Sequence, residues 1–210
     1  MGASPMTILC FTKIQIIMKY KYAISVLVMF GALTFSCSTG SRHEDPATEE
    51  AAKEANDDKF QTHDAEADAK FVVEAVAANY GDIEMAKLAA QRSDNTEVKE
   101  VAKSLEHEHN KLLKDLQALA GNKAISVPAE KDAGSKRTIE NLNDEKDIKD
   151  FNTKWCSEMI DSHEKCIRSF EAQLEKTTDE DLKALINQSL PPLREHLDKI
   201  KACHEKVKNV

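Results

Sequence analysis

Glycine is nearly missing from this chain. Six glycines occur in 210 residues, and from Ser41 onward they are Gly81, Gly121 and Gly134. No glycine-rich loop able to cradle a phosphate is present. Aromatic residues are few, at 5%, and none of the five cysteines forms a Cys-x-x-Cys pair. Nothing signals a Ser/His/Asp triad. Positive charge is also in deficit. The charged residues before Cys37 are Lys13, Lys19 and Lys21 alone, so a net charge of −8 for the whole chain becomes −11 for the remainder. An acidic remainder argues against a nucleic-acid partner and offers no basic patch to anionic lipid. What is abundant is Ala, Leu, Glu and Lys, with charged residues at 31%. That is the composition of a mostly helical protein.

Residues 1–36 read as a leader and are set aside from the fold. Met18-Lys19-Tyr20-Lys21-Tyr22 is a short basic stretch, followed by an apolar run of thirteen from Ala23 to Phe35. A run this short suits the core of a secretory signal better than a membrane span. Met18 is a more natural start for such a leader than Met1. Ser36-Cys37 follows at once, and a leader ending LTFSC resembles a bacterial lipoprotein signal. The resemblance implies cleavage before Cys37, acylation of Cys37 and attachment to a membrane through that lipid. Residues 37–65 then read as a flexible acidic tether, rich in charge and poor in large apolar side chains. Such a segment buries too little to offset the entropy of ordering, although Thr48 to Asn56 favours transient helix. His43 and His63 fall in it and read as solvated.

Residues 66–210 read as an all-α domain, an antiparallel four-helix bundle of two hairpins joined by a long crossover. The first helix spans about Ala65 to Arg92, with Val72, Val76, Asn79, Ile83, Ala86 and Ala90 on its seam and Tyr80 and Glu84 at the edge. Ser93-Asp94-Asn95-Thr96 supplies turn and cap chemistry. The second helix runs from Thr96 until Gly121-Asn122 ends it. Residues 123–147 form the crossover, with Pro128, Gly134 and a short helix near Lys136 to Leu142. The third helix covers about Asp147 to Lys176, and Thr177 with Glu180 makes a capping-box pattern before the fourth. Pro191-Pro192 is expected to kink or split that fourth helix, because proline removes a backbone donor and crowds the preceding turn.

The second helix carries the most informative pattern. Its apolar positions Val98, Ala102, Leu105, Leu112, Leu116 and Leu119 step by four, three, seven, four and three, and His109 stands where the seven should divide. A histidine is thus written into a buried seam. The third helix places His163 on its inward stripe and the fourth places His196. In an antiparallel hairpin, residues equidistant from the turn lie side by side. By that rule Glu84 is level with His109, and His163 with His196, each within about one helical turn, ~5 Å. If the hairpins align, four ligand-type side chains meet in one layer. Each buried imidazole left without a partner costs ~1–3 kcal/mol. One metal ion satisfies several at once; a hydrogen-bonded His/Glu cluster that only fixes packing is the other reading.

Cys156 lies seven residues before His163 and Cys203 seven after His196. The two thiols should therefore be level, one layer from the histidines. They read either as a disulfide between the third and fourth helices or as two small buried hydrophobes. Cys166 is left at the edge of the stripe.

The segments FVVEAVAANYGDIEMAKLAAQ, VKEVAKSLEHEHNKLLKDL, FNTKWCSEMIDSHEKCIRSFE and LPPLREHLDKI, in this order, resemble a ferritin-like bacterial envelope family of unknown function, often labelled putative outer-membrane protein. The resemblance implies a ferritin-like bundle in the cell envelope, anchored in the outer membrane and facing the periplasm or the exterior. It supplies no activity. Di-iron ferritin-like proteins use a Glu on two helices and Glu-x-x-His on two others. Here Glu84 and Glu106-x-x-His109 match, but Leu193 stands three before His196. A mononuclear site for zinc, copper, nickel or iron at Glu84, His109, His163 and His196 fits better, with Glu106, Glu108 and Glu164 read either as partners behind it or as plain solvated face residues. No catalytic residue is assigned, and an enzyme is the weakest reading. The main reading is a lipid-anchored envelope bundle with a metal in its core. The alternative is a structural or interaction lipoprotein whose polar cluster serves packing alone.

Overall fold

The computed structural model describes residues 47–209. The leader, Cys37 and its expected lipid, and His43 lie outside them. Among the described residues the chain is all helical, with six helices and no strand. They are α1 (Glu49–Asp57), α2 (His63–Arg92), α3 (Thr96–Asn122), α4 (Ala133–Asp144), α5 (Ile148–Lys176) and α6 (Glu180–Val207). None of these is long and apolar enough to cross a membrane.

The helix starts follow from short polar caps that satisfy orphan N–H groups. Asn95 Oδ1 accepts from the N–H groups of Glu97 and Val98, Asp147 Oδ1 from those of Lys149 and Asp150, and Asp179 Oδ1 from that of Leu182. Asp179 therefore caps α6, not Thr177 as the capping-box pattern suggests. Thr177 ends α5 and donates its hydroxyl to Asp68. At the far end of α3 the turn falls on Ala124, whose φ is 55°, rather than on Gly121.

α2 pairs with α3 and α5 pairs with α6; α3 also lies against α6 and α2 against α5, so the four long helices close a ring of neighbours. Their shared core divides into two apolar clusters. One contains Phe71, Leu113, Leu116, Ile167, Phe170, Ile186 and Leu193. The other contains Met85, Leu105, Trp155, Met159, Ile200 and Cys203. On α3, α5 and α6 the histidines fall between the two, as a polar waist. Leu113, more buried than Leu112, continues the α3 stripe past His109.

Three features depart from the sequence reading. First, the segment read as a tether is ordered over α1. Ala52 is fully buried, and the Asn56 amide both donates to Ser126 O and accepts from Ser126 N, each at 2.8 Å. Pairing with the loop after α3 supplies the burial that composition alone does not show. Second, α4 packs on α2 at Gly81, where a β-carbon would overlap the Ser135 side chain. The guanidinium of Arg92 reaches the carbonyls of Leu142 and Glu145 and lies 4.3 Å from the Phe151 ring centre, tying α2 to the start of α5. Third, of the kink or split expected at Pro191-Pro192 the split does not occur: α6 runs as one helix through both prolines. The carbonyls that lose a donor belong to Asn187 and Gln188, both exposed, so water can serve them.

Candidate metal centre

α3, α5 and α6 each deliver one histidine to the waist. His163 is 0% exposed, His109 1% and His196 5%. Ring centres are 5.1 Å apart for His109 and His163, 5.5 Å for His109 and His196, and 5.7 Å for His163 and His196. One nitrogen from each ring can be chosen so that all lie within 4.8 Å of one another. The relative height of the two hairpins, left open by the sequence, thus brings the three imidazoles together.

Hydrogen bonds define which nitrogens are free. Asn79 Nδ2 donates to His109 O at 2.7 Å, which orients the amide. Its Oδ1 then accepts from His109 Nδ1–H, also at 2.7 Å. His163 Nδ1–H donates to Met159 O at 2.8 Å. Both δ nitrogens are therefore donors, and in a neutral ring the lone pair sits on Nε2. These two Nε2 atoms face one another at 3.2 Å. Neutral rings in these tautomers have no proton to share between them. A proton on one Nε2 or a metal ion held by both would each relieve the facing lone pairs. His196 Nδ1 is buried and has no hydrogen-bond partner.

The surroundings oppose protonation. Burial, then the nearby His163 and His196, holds His109 well below the ordinary imidazole value of 6.5. Burial, with His163 and Lys199, brings His196 down to about 4, against an opposing pull from Glu195. One buried carboxylate stands near. Asp82 Oδ2 is 3.9 Å from His109 Nδ1, and Ser162 Oγ donates to Asp82 Oδ1 at 2.6 Å. Burial raises the Asp82 pKa, while His163 and the Ser162 hydroxyl act the other way.

Glu84 is not part of this group. Its carboxylate is 48% exposed and pairs with Lys131 at 2.6 Å. Asn79 and Asp82 are the residues that α2 presents to the waist. Asn79 stands on the seam read from sequence; Asp82 was missed. α2 touches α1, α3, α4 and α5, so it is buried on several sides and no single stripe marks its inward face. Glu106 and Glu108 are half-buried, and neither takes a histidine hydrogen bond; Asn79 and Met159 do so instead. Glu164 pairs with Lys201 across the surface. Cys156 and Cys203 are level, as expected, with sulfurs 3.9 Å apart and both thiols free. Their mutual hydrogen bond, with Cys156 as the donor, is the first cause holding that thiol's pKa up. Cys166 is half-buried beside Asp82, and burial pushes its thiol up as well.

Fold and site together define an all-helical protein whose core is crossed by a buried tri-histidine layer able to hold a metal ion. The chain belongs to the family described as DUF4142, a domain of unknown function, whose sequence model matches residues 49–203. The match starts with α1 and includes all three histidines together with Asn79 and Asp82. No curated protein and no solved structure matched the chain.

Proposed function

We propose that this protein binds one divalent transition-metal ion through His109, His163 and His196, inside a ferritin-like four-helix bundle held at the bacterial envelope by lipid on Cys37. The observation that carries the metal reading is the pair of Nε2 lone pairs at 3.2 Å, with both δ protons engaged elsewhere. Two nitrogens bound at ~2.0–2.1 Å to one tetrahedral ion lie about 3.3 Å apart. The pair is thus already spaced as two ligands of one ion. The partnerless Nδ1 of His196 has no competing hydrogen bond to give up on becoming a third ligand. Asn79 and the Met159 carbonyl do for these rings what outer partners do in metal sites: they hold the tautomer and the orientation. Imidazole donors suit zinc, copper, nickel and iron. The outward Glu84 removes the bridging carboxylate that a di-iron centre on this pattern needs. The bundle reading is supported by the closed ring of long helices, and the envelope reading by the LTFSC leader.

A second reading has one observation in its favour. Asp82, 3.9 Å from His109, is placed to balance a single proton shared between His109 and His163. The cluster is then a packing feature of a structural lipoprotein. Elemental analysis after metal exposure and desalting separates the two. Wild type should retain one equivalent, and a folded variant with all three histidines replaced by Ala should retain none. Equal metal in both would end the metal reading. For the anchor, Cys37→Ser should move the protein from the detergent phase to the aqueous phase on partitioning.

A further inference from the structure

Three histidines leave a tetrahedral ion one ligand short. Structural zinc sites are closed by a fourth protein ligand, whereas sites with three protein ligands keep water or substrate in the fourth position. Among the described residues the metal-capable group is His109, His163 and His196, with no Cys, Asp or Glu in it. Asp82 lies on the Nδ1 side of His109, away from Nε2. Cys156 and Cys203 face each other.

A pocket of ≈ 50 Å³ reaches the same rings from the surface between α3 and α6. His109 and His196 form part of its wall beside Leu112, and its charged lining is one base, Lys111, against two acids, Glu108 and Asp115, so the charge that would draw an anion in is the metal's own. On this measure one water needs ~10–15 Å³, so a water or an ion of a few atoms fits and a larger organic ligand does not. His163 does not line the pocket. The approach is therefore from the side of His109 and His196.

We propose that the pocket is an open coordination position, where a metal held by the three histidines carries an exchangeable water and accepts a small linear anion in its place. This rests on the metal reading above and adds to it that the site is open. A cobalt(II)-loaded full chain, titrated with azide, tests it by visible absorption, because cobalt d–d bands report coordination. The expected result is a saturable one-to-one spectral change. Leu112→Trp, which fills the mouth from a half-buried position, should keep the cobalt and weaken azide binding at least tenfold. Cobalt bound with a spectrum indifferent to saturating azide overturns the open position and leaves the metal reading standing. Azide binding equally to wild type and Leu112→Trp overturns the pocket as the route. Failure to bind cobalt overturns both readings.

Discussion

Asn79→Leu is the sharpest perturbation of the waist. The side chains have similar volume, so the change deletes polarity with little change of shape. Asn79 makes two 2.7 Å hydrogen bonds to His109, and both residues are buried. His109 O keeps its acceptor role inside α3, so loss of the amide donor costs only ~0.5–1.5 kcal/mol. His109 Nδ1–H has no such reserve, since Asp82 Oδ2 at 3.9 Å is beyond hydrogen-bond reach. Leaving that donor buried and unpaired costs ~1–3 kcal/mol. The total, about 2–4 kcal/mol, is a large part of a typical stability of ~5–15 kcal/mol. With a urea slope of ~2 kcal/mol per molar, the unfolding midpoint of the apoprotein should fall by about 1–2 M. Metal affinity should drop ~10–100-fold, because the imidazole loses the partner that holds its tautomer. Urea unfolding followed at Trp155 and a metal-competition titration give the two numbers. An unchanged midpoint together with unchanged affinity would refute the tautomer assignment on which the site rests.

Four further outcomes are expected. Apoprotein stability should decline as pH falls from about 6.5 toward about 4, because His196 takes up its proton more readily in the unfolded chain. That contribution is complete above the unfolded value, amounts to about 3 kcal/mol over the window, and gains in the same direction from His109; a flat urea midpoint across that range counts against neutral rings. Gly81→Ala should destabilise despite a helix-propensity gain of ~1 kcal/mol, and Ser135→Gly should rescue it in a double-mutant cycle; additive effects would refute the close contact. Trp155→Phe removes the Nε1–H donor to Met85 O at 3.0 Å in a fully buried position; that carbonyl keeps its acceptor role inside α2, so the lost hydrogen bond should cost ~0.5–1.5 kcal/mol by urea unfolding followed by circular dichroism. Oxidised glutathione should take two electrons and two protons from Cys156 and Cys203, closing sulfurs now 3.9 Å apart into a disulfide. Peptide mapping should find that link, with stabilisation of up to ~4 kcal/mol for the loop it closes; a bridge through Cys166 would refute the level pairing.

How much of this was written in the chain differs by element. α6 was legible in detail: Leu182, Ile186, Ser189, Leu193, His196, Ile200, Cys203 and Val207 recur at helical spacing and are buried, although Leu190, off that pattern, is buried too and Leu185 and Leu197, which share it, are only partly so. α3 and α5 were legible in the same way, His109 and His163 included, because each buries one face and 3.6-residue periodicity records that face. α2 was not, because neighbours on several sides erase the contrast between stripes; Glu84 was chosen where Asn79 and Asp82 stand. Composition marked Thr48 to Asn56 as helix-favouring but not the docking of α1, whose few apolar atoms are buried only because α2 and the loop at Ser126 are there to receive them. Periodicity identifies the face a helix buries but says nothing about how far one hairpin slides along the other. The interdigitation of four helices sets that height, and it brings His109 Nε2 to 3.2 Å from His163 Nε2.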